Sequence, residues 1–360
     1  MIRNQVWNSY INIFLYKFLY GGFKMKIAIY GAGAMGTVLG AYLAKSGKNV
    51  ELIDNFKEHV DALNEKGATI VGKDNFNIKV KASTPDQMSG EYDYVFLFTK
   101  QTANEIVLPH LKRFLKTDSV VCTLQNGVPE YSVEKIIGGN RTVGGTVLWG
   151  ATFVEPGVSE VTQDINVDYP LFDIGEISGE ITSRIEKVAK ILEGMCQVEI
   201  VTNLMEARWS KVLLNSSMSG LSAISGATFG DILENDKARS CLSLIASEIV
   251  KVAEQINQEL APTHGVDTIE YGIISTPNEF KRSQKHFIDF YDDKRTAKAS
   301  MLQDLEKNRK TEVEMINGFV VEAGEKCGVT TPRNKKIVEI VNRIEKGRQS
   351  CSMNNIEELI

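Results

Sequence analysis

Lys100 and Asn126 each follow a short apolar run, residues 94–98 and 119–124, within Thr99-Lys100-Gln101 and Gln125-Asn126-Gly127. Open α/β sheets place ligands at the carboxyl ends of strands, where a Lys and an Asn can reach a ribose or a carboxylate. The same pattern equally describes a loop-surface Lys and an Asx turn before Gly127. Further on, Lys211, Asn215 and Ser219 are spaced four apart and share one face of a helix, against apolar Val212, Leu213, Leu214 and Met218. Taken alone, this stripe reads as the wet side of an amphipathic helix; its other reading is a cleft wall. Ser300 and Glu312 would lie about 18 Å apart on one straight helix, too far to share a small ligand. Asn308 weakens helix, however, and Thr311-x-x-Glu314 predicts a capping box that starts a second one, with Gly328 suited to its end. Two helices with a bend can bring Ser300 and Glu312 into one cleft.

The element that must organise these groups is residues 26–36, KIAIYGAGAMG. An apolar run reads as a buried parallel strand, Gly31-Ala32-Gly33-Ala34-Met35-Gly36 follows as G-x-G-x-x-G, and residues 37–45 have helical composition. Gly31 allows the tight turn, Gly33 lets a pyrophosphate approach the backbone, and Gly36 lets helix and strand pack closely. The next strand, residues 49–53, ends on Asp54, about where an acid binds the adenosine ribose. Together these predict a dinucleotide site in which Asp54 favours NAD(H). NADP(H) puts a phosphate where Asp54 stands; Lys57, one helical turn onward, is the residue that could fold back to hold it.

The 360 residues allow one large or two ordinary domains, and 43% hydrophobic with 24% charged residues is a globular composition. A formal net charge of −5 without a long basic run argues against a nucleic-acid partner. The five cysteines (Cys122, Cys196, Cys241, Cys327, Cys351) contain no C-x-x-C and suit a reducing cytoplasm, neither a disulfide framework nor a zinc site. His59, His110, His264 and His286 sit in no metal-ligand spacing; they read as surface or helix histidines, and no metal is expected. The aromatic-rich run at residues 10–16 is broken by Lys17, too short to span a bilayer, and lacks a cleavage pattern, so no membrane partner is expected. Gly21-Gly22 can be encoded by a purine-rich ribosome-binding sequence just upstream of Met25, so the expected start is Met25 and residues 1–24 read as a mis-annotated or disordered extension.

From Met25 to residue 202 strand and helix alternate, which predicts an α/β, Rossmann-type dinucleotide-binding domain over residues 25–202. Helices are expected near 59–66, 104–115, 130–137 and 180–195, with short strands at 78–82 and 198–201. Residues 142–162, rich in Gly, Val and Thr, read as hairpin material and an antiparallel extension of the sheet. After Asn203 nearly everything is helix-compatible, so residues 203–345 are expected to form an all-helical substrate and catalytic domain, followed by a polar tail at 346–360.

The glycine turn, T-L-Q-N-G after a strand, the W-x-K-x-x-x-N helix and the S-M-x-Q-D…R-x-T-E…N-G stretch together resemble the ketopantoate reductase family, over 25–345 in order. The resemblance implies reduction of a 2-oxo acid to the (R)-2-hydroxy acid with NAD(P)H, foremost 2-dehydropantoate to (R)-pantoate in pantothenate biosynthesis. By resemblance Lys211 is the general acid, and Glu312 sits beside the cofactor ribose and the catalytic Lys. Asn126 and Asn215 position substrate and Lys, with Asn126 also on the cofactor, Ser300 binds the substrate carboxylate, and Lys100 lies on the cofactor. Ala151 matches a backbone contact to the cofactor. Ser219 takes the place of a second substrate-binding Asn, and Ala297 of another. NADP(H) is the family default, but Asp54 stands where the family's usual Arg binds the 2′-phosphate. NAD-dependent D-2-hydroxyacid dehydrogenases of the mandelate type are similar and form the alternative reading. A non-catalytic dinucleotide-binding regulator is the alternative of another class, against which Lys211 and Glu312 together argue. The partner expected is a small 2-oxo acid, with room for a homodimer.

Overall fold

The structure, a computed structural model, describes residues 25–263 and 265–360. The expectation about residues 1–24 lies outside the described residues. Chain order begins β1 (Lys26–Tyr30), α1 (Ala34–Lys45), β2 (Asn49–Ile53), α2 (Lys57–Lys66), β3 (Ala68–Gly72), β4 (Phe76–Ile78) and β5 (Lys81–Ser83). It continues through β6 (Tyr92–Leu97), α3 (Asn104–Lys112), β7 (Leu115–Thr123), α4 (Glu130–Ile137) and β8 (Thr142–Val147). Then come β9 (Ala151–Glu155), β10 (Val158–Val161), β11 (Phe172–Gly175), α5 (Ser183–Leu192) and β12 (Val198–Ile200).

The main sheet has the order β12-β11-β8-β7-β6-β1-β2-β5. Its six strands from β8 to β5 are parallel, with Ile27 paired to Val50 on one side and to Tyr94 on the other. From β1 the chain first builds outward through β2 and β5, then returns to β6, β7 and β8 on the opposite side. The crevice outside the carboxyl ends of β1 and β6 is therefore the switch point where such sheets take ligands. Apolar runs such as Ile27–Ile29 are buried because helices cover both faces of a parallel sheet.

Residues 142–162 differ from the hairpin extension expected. Strand β8 joins β7 in parallel, and the antiparallel extension is made by β11, which pairs Phe172 with Val147. Only β9 and β10 form the hairpin, and it belongs to a second sheet, β4-β3-β10-β9, packed over α1. Strand β3 in that sheet had no expectation; it is five residues between two left-handed glycines, Gly67 (φ 81°) and Gly72 (φ 94°), too short to announce a period. The strand expected at 78–82 is split between the end of β4 and the start of β5.

Beyond β12 the described chain is helical: α6 (Leu204–Leu214), a π turn (Asn215–Ser219), α7 (Gly220–Ser225), α8 (Phe229–Glu234), α9 (Asp236–Gln255) and α10 (Pro277–Tyr291). The last three are α11 (Ser300–Glu306), α12 (Val313–Cys327) and α13 (Pro332–Glu345). Helix α9 is the hub; Leu242, Ile245 and Ile249 meet Val320, Ile337 and Ile340 in one core. The polar tail turns back as a 3-10 helix, Met353–Leu359, and buries Ile356 and Leu359 in that core, while Asn355 Nδ2 donates to Ile224 O at 2.8 Å. Two such side chains contribute about 1.5–3 kcal/mol each by area. Among the described residues no helix is long and apolar enough to cross a membrane, and no cluster of His, Cys, Asp or Glu is arranged to hold a metal.

Candidate active site

The glycine turn caps β1 as its spacing predicts. Gly31 has φ 98°, and a Cβ there would lie 2.5 Å from Thr99 N, so the turn must pass tightly beside the end of β6. A Cβ at Gly33 would meet nothing within 4 Å; that position faces open space at the start of α1. No side chain caps α1, which leaves its first amides, with the positive end of the helix dipole, to a ligand. These features fit a dinucleotide pyrophosphate. Asp54 closes β2, and its Oδ1 accepts from Phe56 N at 2.9 Å. Lys57 does not lie over it; its Nζ donates to Asp61 Oδ2 at 2.5 Å along the helix.

Across from this turn, α6 packs along the antiparallel pair β8 and β11 and delivers Lys211 to the carboxyl end of β8. Its Nζ donates to Val147 O at 2.8 Å, at the end of β8. Burial pushes the ammonium down to about 8, with Arg208 acting in the same direction; Asp173 and Glu312 pull it back up. Burial raises the Glu312 carboxyl against the backbone bond from Gln101, the Lys100 charge and the Asn126 amide. A protonated Lys with donors left over, near two carboxyl groups, can deliver a proton to an oxygen that is gaining charge.

Glu312 reaches this place by the bend foreseen in the sequence, though not by the foreseen cap. Asn308 adopts φ 51° and breaks the helix between α11 and α12. The Thr311–Glu314 capping box does not form. Thr311 Oγ1 donates to Glu345 at 2.7 Å, and Glu314 accepts from Asn342 at 2.8 Å, because longer-range partners outcompete the local ones. Glu312 is itself the N-cap residue, with its side chain turned to accept from Gln101 N at 2.9 Å. Gly328 ends α12 at φ 79°, as its type suggests. Lys100 forms an ion pair with Asp304 of α11 and donates to Lys310 O at 3.2 Å, and Gln101 Nε2 donates to Asn126 O. A seam of polar contacts thus joins the ends of β6 and β7 to the α11–α12 turn.

Asn215 keeps to the Lys211 stripe, since its N–H bonds to Lys211 O in ordinary α geometry. From there the helix widens: Gly220 N–H reaches back five residues to Asn215 O. Positions four apart no longer align through this turn, and Ser219 is 9% exposed. Ser300 is exposed at the first residue of α11, a helix that packs on the π turn; its neighbour Ala299 donates to Ser222 Oγ at 3.3 Å. Ala151 starts β9, opposite Val161, on the sheet that covers α1. The structure thus brings Lys100, Asn126 and Glu312 into one polar seam with Lys211 close enough to feel the Glu312 charge, and Asn215 lies one turn beyond Lys211. Gly31–Gly36 and Asp54 lie at the carboxyl ends of β1 and β2.

The buried Arg208 and Glu130 and the half-buried Asp173 escaped the sequence reading. Arg208 is 0% exposed, with Nε 2.7 Å from Glu130 Oε1, Nη1 2.7 Å from Gln125 O and Nη2 3.1 Å from Thr123 O. Asp173 on β11 accepts from Thr146 Oγ1 at 3.2 Å beside Lys211. The one available signal was an Arg three residues before Lys211 on the same helix.

Comparison with known proteins gives a consistent picture. The profile described as "Ketopantoate reductase PanE/ApbA" matches residues 27–173, and "Ketopantoate reductase PanE/ApbA C terminal" matches residues 203–345. A 2-dehydropantoate 2-reductase of Pyrococcus abyssi is 31% identical over 314 residues, 86% of this chain and 94% of that relative. A solved D-mandelate dehydrogenase, with NADH and anilino(oxo)acetate, is 26% identical with a TM-score of 0.77, covering 90% of this chain and 99% of that one. A PanE/ApbA family ketopantoate reductase of Ralstonia eutropha, 24% identical with a TM-score of 0.75 over 90% of this chain and 100% of that one, supports the fold.

Proposed function

The chain belongs to the ketopantoate reductase family, and on that premise we propose that it reduces 2-dehydropantoate to (R)-pantoate with NAD(P)H. The observation that carries the proposal is the half-buried Lys211, its ammonium tethered to Val147 O at the end of β8 and flanked by Asp173 and Glu312. When bound, the dihydronicotinamide supplies the hydride that arrives at the ketone carbon. Lys211 Nζ holds the ketone oxygen and gives it a proton as negative charge develops there. Val147 O fixes the direction of the ammonium, so little reorganisation is needed at the moment of transfer. Glu312 keeps negative potential beside the ammonium, Asn215 lies one turn further along the substrate side, and Asn126 steadies Glu312. Ser300, at the open edge of the cleft, takes the substrate carboxylate. Ser219, in the packed π turn, shapes the far wall. The division at residues 202–203 sets the nucleotide side against the substrate side.

Asp54 favours NADH over NADPH, and with it the branched-chain or aromatic D-2-hydroxyacid reading keeps one observation in its support. The deciding experiment follows loss of dihydronicotinamide absorbance with NADH and with NADPH against 2-dehydropantoate, phenylglyoxylate and pyruvate. Fastest turnover of 2-dehydropantoate is expected. Preference for phenylglyoxylate would move the chain to the mandelate-type reading, and no turnover of any 2-oxo acid would overturn the proposal.

A further inference from the structure

The glycine turn is held from behind by a histidine that the proposed reaction does not use. His59 of α2 is 1% exposed, and both ring nitrogens are engaged. Nδ1 lies 2.9 Å from Gly157 N in the β9–β10 turn, and Nε2 lies 2.8 Å from Ala32 O in the glycine turn. A backbone N–H can only donate, so Nδ1 is the bare acceptor. The neutral ring therefore carries its proton on Nε2 and donates it to Ala32 O. Thr37 Oγ1, at the start of α1 and 3.0 Å from Nε2, donates to the same carbonyl at 2.7 Å. One ring thus pins the phosphate turn to a hairpin that lies 98 residues beyond the histidine itself. The charged group facing it is the Asp54 carboxylate at the end of β2. Its other neighbours are uncharged: Thr37 from α1, Gly157 from the hairpin, and the rings of Phe56 and Phe153 at 6.5 and 5.1 Å.

We propose that His59 is a positioning residue of the dinucleotide site, whose neutral ring holds the phosphate turn in its binding shape and whose protonation at Nδ1 releases that hold. A proton on Nδ1 would point at the Gly157 N–H, two donors head to head with no acceptor between them. Burial pushes the ring below the usual histidine range, outweighing the pull of the Ala32 bond and of Asp54. The folded protein therefore takes up this proton less readily than the unfolded chain. The tie is complete above the ordinary histidine value and is lost as pH falls through the ring's lowered value. The inference rests on dinucleotide binding and not on which 2-oxo acid is reduced.

The test is calorimetric binding of NAD+ to the full chain, with circular dichroism at each pH to show that it stays folded. NAD+ is the probe because it lacks the 2′-phosphate, a group that itself titrates near about pH 6. Wild-type affinity should fall about threefold or more as pH is lowered from about 7.5 to the lowest value at which circular dichroism shows the chain folded. His59→Gln supplies an acceptor and a donor about as far apart as the ring nitrogens but cannot titrate. It should bind nearly as wild type at the higher pH and lose the acid dependence. A flat wild-type profile, or the same fall in His59→Gln, would overturn the inference. Should that variant misfold, 15N NMR of the histidine-labelled wild type decides: a bare Nδ1 at neutral pH, lost in step with affinity, supports it, and an Nδ1–H tautomer ends it. No binding of NAD+ or NADP+ at any pH would instead sink the dinucleotide reading beneath it.

Discussion

At the scale of single residues, Lys211 carries the sharpest expectations. Lys211→Ala should lower kcat about a hundredfold or more, as expected for a lost proton donor, while dinucleotide affinity should change little because the proposed phosphate site is the glycine turn at the end of β1. Near-normal turnover would refute its role as the acid. An ammonium brought down to about 8 is still mostly protonated at neutral pH. Ketone reduction should therefore run on a plateau below about pH 8 and fall above it, whereas alcohol oxidation, which needs the free amine, should rise through the same range. A pH–rate profile in both directions checks the sign. For the cofactor, an NADH preference of about tenfold or more in kcat/KM is expected in wild type and should shrink in Asp54→Ser, since a carboxylate accepts from ribose hydroxyls and repels a 2′-phosphate. Lys57→Ala should leave that preference unchanged, because Lys57 is engaged with Asp61. The glycine turn and the end of β2 before Asp54 were legible as structure because both are local signals in one βαβ unit. The Lys211 stripe alone read as an amphipathic surface, and only the resemblance gave it a role. Arg208 was invisible because its partner Glu130 lies 78 residues away, and nothing local marks an Arg that will be buried.

At the scale of elements, the π turn that follows Lys211 is held by a contact no pattern could show. Asn317, in α12, donates from Nδ2 to Ser216 O and to Asn334 Oδ1, both at 3.0 Å. Asn334 in turn bonds through Nδ2 to Glu248 at 2.9 Å, so the turn is tied through α12 and α13 to α9. Asn317→Ala should cost about 1–3 kcal/mol, the usual consequence of leaving buried partners unsatisfied, readable as a lower urea midpoint with unchanged slope. Unchanged stability would mean that the turn holds itself. Strong end signals, such as the Asn308 break and Gly328 at the end of α12, were readable. The failed capping box shows the converse: Thr311 and Glu314 have the right types and spacing, but Glu345 and Asn342 are better placed. Strands β3 and β11 were missed for want of length, since five and four residues give little alternation to read.

At the scale of the whole molecule, one buried ion pair fastens the helical part to the sheet. Arg208 on α6 reaches Glu130 on α4 and two carbonyls at the end of β7, all out of water. Arg208→Ala should lower stability by about 3–5 kcal/mol, because a buried carboxylate loses its partner. Glu130→Leu with Arg208→Met should recover much of that loss in equilibrium denaturation, while activity stays low because the Asn126 loop is no longer anchored to the Lys211 helix. Equal destabilisation of the single and double variants would show that packing, not charge, dominates. The alternation of strand and helix followed by helix alone made the two-part layout legible; the fastening was not, because it exists only once both parts are folded. The pocket for this pair depends on Gly144 of β8, where any Cβ would collide with Glu130 Oε1. Across lineages this makes a ratchet of three positions. A side chain at 144 evicts the carboxylate, losing the carboxylate strands the guanidinium, and losing the guanidinium strands the carboxylate. Single steps away from Gly144, Glu130 and Arg208 are each penalised, so relatives should keep Glu130 and Arg208 together or have replaced both, and should carry Gly144 wherever the carboxylate is kept.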